Sequence, residues 1–238
     1  MGDGFTCTEA SRTFLLTEWN SDNIWQWNPD TGTSTIIHTL SANDVDYHPE
    51  EGSEFGWVAE HFTDHFDRFI LGDGAGAETT YLLGDDGRTH FHYPKHIVVY
   101  QSEILQSDRN NGVIYRYNLE GEELGIIDTG YEHAHGMAVV NGDLFVTVFS
   151  TDTSVFQRYR SDYVVEDTFP MPEGIGQIWD FVFRPETNSF YGLSSTSSDT
   201  STGDATNTII EFRLDGTIAE SYLIPFSADG IGQGPSSE

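Results

Sequence analysis

The chain has 238 residues, 39 acidic and 10 basic, for a formal net charge of -29 at pH 7, and 13% of it is aromatic. That charge excludes nucleic acid and anionic membrane surfaces as partners, because their phosphates would be repelled, and the aromatic share excludes a disordered chain. A single cysteine, Cys7, excludes an intramolecular disulfide, and no apolar run approaches the ~20 residues of a membrane-spanning helix.

Lys95 is the one lysine among the basic residues. An acidic surface with almost no lysine resembles proteins of high-salt organisms, where a Debye length of about 3 Å at 1 M salt removes the self-repulsion. The expectation is an extracellular or periplasmic protein from a high-salt or marine source, with no membrane span. Its length suits one all-β domain, since such domains commonly run ~200–250 residues.

Taken in order, the chain repeats one phrase five times: an inner strand, a turn, a second strand, a third strand rich in aromatics, and a short fourth. The first unit has Phe5–Thr8, Arg12–Trp19, Ile24–Asn28 and Ser34–Leu40. Its Pro29-Asp30-Thr31-Gly32 is a turn in which Pro presets φ and Gly accepts the left-handed position. The second has Asp44–His48, Glu54–His61, Arg68–Leu71 and Thr79–Leu83, and the third Thr89–Tyr93, Ile97–Glu103, Val113–Asn118 and Leu124–Asp128.

The fourth unit states the phrase most clearly. His135–Val140 and Leu144–Phe149 flank Asn141-Gly142, the strongest short signal for a tight hairpin, and Val155–Arg160 and Val164–Phe169 complete the unit. The fifth has Trp179–Arg184, Ser189–Ser195, Thr208–Leu214 and Ala219–Pro225. Turns after the inner strands fall at Pro49, Pro94, Asn141 and Pro185, a spacing of about 45 residues, the length of a four-stranded propeller blade. No segment holds an i, i+3, i+4 apolar stripe for three turns, which sets a helical fold aside.

The reading is an all-β chain forming a single five-bladed β-propeller of four-stranded antiparallel blades. The blades span approximately 1–42, 43–87, 88–132, 133–173 and 174–227, with a closing tail over 228–238. In that tail Asp229-Gly-Ile-Gly-Gln233 copies Glu173-Gly-Ile-Gly-Gln177 before the fifth inner strand, so it is expected where a next inner strand would begin, against the first blade. Ser194–Asn207 is expected to be a polar loop.

The stretch GMAVVNGDLFVTVFS, over 136–150, resembles the strand–turn–strand phrase of NHL and SMP-30/gluconolactonase-like propellers. HFHYPKHIVVYQSE and WDFVFRPETNSFYGLSS echo it more weakly. The resemblance implies a propeller, typically of about six blades. Some members hold Ca²⁺ or another divalent ion on the axis and hydrolyse lactones or esters. GIGQIWDFVFRPETNSFYGL also resembles, over a short span, the repeat of five-bladed tachylectin-type lectins.

Inner strands of a propeller meet at the axis, so their residue types indicate where a site would form. They include Asp44 and Asp46 in the second unit, His90 and His92 in the third, His133 and His135 in the fourth, and Asp180 in the fifth. Period-two alternation puts each pair on one face of its strand. Imidazole with carboxylate suits Zn, Mn or Fe, whereas carboxylates alone suit Ca, so a divalent metal ion is the expected cofactor. The same side chains could instead satisfy backbone groups between blades.

Glu18 and Glu60, at or near the ends of second strands, and Glu132, before the fourth inner strand, are candidates for a general base beside such a metal. Each reads equally as a solvated edge carboxylate. His61 and His65 flank Asp64 in a loop that would cover the mouth. Gly72–Glu78 resembles a phosphate loop only superficially, because no helix follows it.

Two functions follow. One is a secreted acidic metal-binding propeller that hydrolyses a small molecule of lactone or ester type at its axis. The other is a non-catalytic propeller that binds glycan or protein, or serves as a module of an extracellular assembly.

Overall fold

The computed structural model describes residues 13–18, 21–39, 44–47, 55–59, 65–70, 79–82, 94–151, 153–173, 175, 177–194 and 206–233. Phe5–Thr8 with Cys7, Glu60, His61, Asp64, the glycine-rich 72–78, His90, His92 and most of the polar loop after Ser194 lie outside the described residues. Among the described residues every regular element is a β-strand.

β1 (Phe14–Glu18), β2 (Asn23–Asn28) and β3 (Thr33–Thr39) pair in succession, and β4 (Asp44–Tyr47), β5 (Phe55–Ala59), β6 (His65–Ile70) and β7 (Thr79–Leu82) form a four-stranded antiparallel sheet. A second such sheet holds β8 (Pro94–Tyr100), β9 (Glu103–Asp108), β10 (Val113–Asn118) and β11 (Glu123–Asp128). A third holds β12 (His133–Val140), β13 (Asp143–Ser150), β14 (Thr153–Tyr159) and β15 (Val165–Pro170). β16 (Ile178–Arg184), β17 (Ser189–Ser194), β18 (Thr206–Phe212) and β19 (Ile218–Gln233) continue into β1, β2 and β3 as one seven-stranded sheet.

β19 is two strands in one. Its first half pairs with β18, from Phe212↔Ile218 to Thr208↔Leu223, and its second half pairs with β1, from Glu18↔Ala228 to Phe14↔Gln233. Leu223 is 78% exposed on the rim, whereas Ala228, Asp229 and Ile231 are buried, so the strand runs from the outside of one unit to the inside of the next. The chain's last described residues thereby supply the innermost strand of the unit formed by β1–β3.

Turn chemistry explains most boundaries. Asn141 and Gly142 take φ of 53° and 90°, the positive values that a two-residue hairpin turn requires. The third unit departs from expectation. Its innermost strand is β8, Pro94–Tyr100, and not Thr89–Tyr93, because the hairpin turns at Gln101-Ser102 with φ of 54° and 62°. Neither residue is one that favours this conformation, so the turn carries no sequence signal, and Pro94 opens a strand in place of closing one.

The inner strands are buried on both faces, and successive residues serve opposite neighbours. Ile97 and Val99 pack with Trp57 and Ala59 of the second unit, while Val98 and Tyr100 pack with Met137, Val146 and Val148 of the fourth. Phe145 and Phe156 join Phe181, Phe190 and Phe212 between the fourth and fifth units. Phe14, Leu16 and Trp27 meet Val182, Tyr191 and Ile209, and Leu15 and Ile24 meet Val45 and Val58, which closes the ring. Each fully buried aromatic or aliphatic side chain contributes about 1.5–3 kcal/mol relative to exposure.

Candidate functional site: a charged axis

Ring packing brings the beginnings of β4, β8, β12, β16 and the second half of β19 together. Three of these strands break register at the same place, between Pro94 and Ile97, Ala134 and Met137, and Ile178 and Asp180. Such bulges re-aim side chains. In β8 the result is that two consecutive residues both reach across the ring, Lys95 to Asp229 of the first unit and His96 to Asp180 of the fifth, while His96 also meets Asp44 of the adjoining second unit.

His96 Nδ1 lies 2.9 Å from Asp44 Oδ2 and 2.5 Å from Asp180 Oδ1. All three residues are buried, and one donor atom from each falls within 4.8 Å of the others. The carboxylates are fixed by backbone: Asp44 Oδ2 accepts from Ile97 N at 2.9 Å, and Asp180 accepts from Ile231 N at 2.8 Å and from Phe181 N at 2.8 Å. Asp44 thus ties the second unit to the third, and Asp180 ties the fifth to the first.

Gly136 makes the approach possible. A Cβ there would lie 2.7 Å from Asp180 Cα and 2.8 Å from its Oδ1, so any side chain would displace the carboxylate.

An imidazole nitrogen carries at most one proton and cannot satisfy two carboxylates, and His96 Nδ1 and Asp44 Oδ1 make no hydrogen bond. Burial alone would lower the His96 pKa, but the Asp180 and Asp44 carboxylates outweigh it and hold it well above its ordinary value. Burial, reinforced by the Asp180 charge, pushes the Asp44 pKa well up. A proton is therefore retained in the group when nothing else neutralises it. One imidazole nitrogen and two carboxylate oxygens also make a donor set for a divalent cation, closer to the preference of Zn, Mn or Fe than to the all-oxygen shell of Ca.

Beside this group Lys95 Nζ sits 2.5 Å from Asp229 Oδ1, with both side chains buried. His135 is buried against Trp179 and Phe149, at ring-centroid distances of 5.0 and 4.8 Å. Burial, aided by Lys95, Arg109 and His133, holds its pKa well below the ordinary value, so it is neutral. His133 Nδ1 is 2.6 Å from the Arg109 carbonyl oxygen.

Of the residues singled out from the sequence, Asp44 and Asp180 come together, with His96 between them. His133 and His135 lie in the neighbouring aromatic cluster, Asp46 lies in β4, and His90, His92 and Glu60 are outside the described residues. Glu18 is engaged locally: its Oε2 accepts from Ser21 Oγ, Asn23 Nδ2 and Trp25 Nε1 at 2.7, 3.0 and 3.0 Å. Burial would raise its pKa, but these donors outweigh it and lower it. Glu132 Oε2 accepts from Thr151 N at 3.1 Å.

His96 and Lys95 are the residues that sequence reasoning missed. Their signal is the apolar run Ile97–Tyr100, which aligns with Met137–Val140 once β8 is read as the inner strand.

No family profile and no curated protein sequence matches the chain. Solved structures do. A chain of a nidogen/laminin complex matches at TM-score 0.64 and 14% identity, over 92% of this chain and 97% of that one. The catalytically inactive virginiamycin B lyase of Staphylococcus aureus, solved with quinupristin, matches at 0.53 and 15%, over 92% and 69%. Luciferin-regenerating enzyme matches at 0.56 and 10%, over 90% and 73%. The chain is a β-propeller. It shares that fold with these structures, two of which are enzymes and one a member of a protein complex.

Proposed function

We propose that this protein is a secreted, metal-binding β-propeller of a high-salt environment, in which Asp44, His96 and Asp180 hold a divalent cation on the axis. The observation that carries the reading is the convergence of one imidazole nitrogen and two carboxylate oxygens within 4.8 Å, on strands from three different units. An ion there would neutralise the buried carboxylates and join the inner strands of the second, third and fifth units.

Such an ion supplies Lewis-acid activation of a carbonyl or of water. Asp44 and Asp180 would hold it, His96 would complete the set as a neutral imidazole, and backbone N–H groups would keep both carboxylates aimed. Hydrolysis of a small lactone or ester is the activity that follows, and two of the solved structures that share the fold are enzymes.

The second reading, a non-catalytic propeller that binds glycan or protein, draws on the burial of all three ligands and on Glu18 being saturated by its own hairpin. Elemental analysis of purified protein before and after chelation separates these claims. Near-stoichiometric Zn, Mn or Fe that is lost in Asp44→Asn is expected, followed by lactone and ester turnover that depends on that metal. Stoichiometric metal without turnover leaves the binding module, and no metal in protein refolded with each ion overturns the metal reading.

A further inference from the structure

Asp44, His96 and Asp180 are each no more than 3% exposed, so a cation reaches them only when one of the surrounding strands moves. The second half of β19 is joined to its partner differently from the other axial strands. β4, β8, β12 and β16 each pair with the strand that follows them in sequence. The second half of β19 pairs instead with β1, a strand remote in sequence, so it can leave the ring without undoing a hairpin. A break in register marks the pivot. Between Thr208↔Leu223 and Thr206↔Ala228, residues 224–227 of β19 stand opposite Asn207 alone, and Pro225 among them has no N–H to give to the ladder. Beyond that pivot the strand packs against both β4 and β16, which carry Asp44 and Asp180, and its Ile231 N–H donates to Asp180 Oδ2 at 2.8 Å.

Lys95 holds this half of β19 in place. Its Nζ reaches from β8 to Asp229 Oδ1 at 2.5 Å and to the Asp229 carbonyl oxygen at 3.4 Å. Both side chains are buried, and removing one partner of a buried pair is costly because the other charge stays out of water. Opening the strand would return Asp229 to solvent and uncover the Asp180 carboxylate in the same movement. We propose that the second half of β19 is a strap over the axial group, latched by Lys95, whose local opening admits a divalent cation to Asp44, His96 and Asp180. The strap and its latch stand on the pairing geometry, whereas the gated entry rests on the metal reading proposed for that group.

Hydrogen exchange and zinc uptake test the two parts separately. In metal-free protein the amides of 228–233 should exchange faster than those of β12, and Lys95→Met should speed them by about a hundredfold or more while β12 and β13 stay within about twofold. Asp229→Asn breaks the same pair from the strap's own side and should give the same pattern, which keeps the test in force if Lys95→Met does not fold. Zinc uptake, followed as loss of zinc from a fluorescent indicator, should accelerate in step with the exchange. Exchange over 228–233 that matches β12 in the parent, that the variants leave unchanged, or that rises equally in every inner strand would overturn the strap. Faster exchange with an unchanged rate of zinc uptake would overturn the gate alone. Zinc that neither parent nor variant takes up would overturn the metal reading and the gate with it, while the exchange result still decides the strap.

Discussion

The interfaces between units and the axis they surround are built from opposite materials. Between the fourth and fifth units the contact is aromatic, with the Phe156 ring of the fourth unit at centroid distances of 5.2, 6.3 and 5.6 Å from Phe181, Phe190 and Phe212 of the fifth. A few ångströms inward the chain buries Asp44, Asp180 and Asp229 with Lys95, His96 and His135. The apolar interfaces hold the ring together, since each buried ring adds hydrophobic free energy with no pairing requirement. The axis cannot be explained in that way, because buried charges seldom improve on a well-packed apolar core. Their presence where five strands converge is what the proposed metal accounts for.

If that division is right, the largest loss of stability comes from the interfaces and is blind to ions. Phe190→Ala, which removes a ring touching Phe145, Phe156, Phe181, Phe183 and Phe212, should cost about 3–5 kcal/mol in urea unfolding, with or without divalent cation. Gly136→Ala should cost about 1–3 kcal/mol by overpacking against Asp180, and should also abolish any stabilisation by added metal. An interface variant that changed the metal response, or a Gly136→Ala protein that kept it, would contradict this division of roles.

Asp44→Asn alters the axis and leaves the interfaces intact. Its amide oxygen can still accept from Ile97 N, and the change removes a charge that burial and Asp180 disfavour. Metal-free stability at neutral pH should therefore stay within about 1 kcal/mol of the parent or rise, while the upward shift of Tm with Zn or Mn disappears.

His135 provides a pH test. Its folded pKa is depressed below the ordinary 6.5, so the unfolded chain takes up a proton near pH 6.5 that the folded chain refuses. Stability should fall from that point as pH falls, and His135→Phe should flatten this part of the profile relative to the parent when thermal unfolding is followed from pH 7.5 to about 5. His96 works in the opposite sense, because its raised pKa adds stability that is fully present at low pH and lost as pH rises through the folded value. The difference between the two profiles isolates His135.

The smallest effect belongs to the surface. Arg116 donates from Nε and from a terminal nitrogen to the Glu103 carboxylate at 2.8 Å each, and Tyr163 donates to the same carboxylate. Both charged partners are partly exposed, so Arg116→Ala should cost no more than about 1 kcal/mol, and less in high salt.

The legibility of these two regions in the sequence also differed, for physical reasons. Interfaces announce themselves through alternating aromatics, and the fourth unit's hairpin announces itself through Asn141-Gly142, whose positive φ values require such residues. Asp44 and Asp180 stand at the starts of their inner strands, where a period-two reading of the blades reaches them. The histidine between them does not, because locating it depends on the turn at Gln101-Ser102. Left-handed Gln and Ser are enforced there by strand pairing on either side, and local sequence holds no record of that. The third inner strand, and His96 with it, is therefore placed by strand pairing and not by local sequence, while His90 and His92 lie outside the described residues.

The most direct test of the central claim is anomalous scattering at the zinc edge from crystals grown with Zn²⁺. A single axial peak about 2.0–2.2 Å from His96 Nδ1, Asp44 Oδ2 and Asp180 Oδ1 is the predicted result. An empty axis with His96 still wedged between the two carboxylates, in crystals whose zinc binds elsewhere or not at all, would contradict it and leave the group as a proton-bearing clamp between blades.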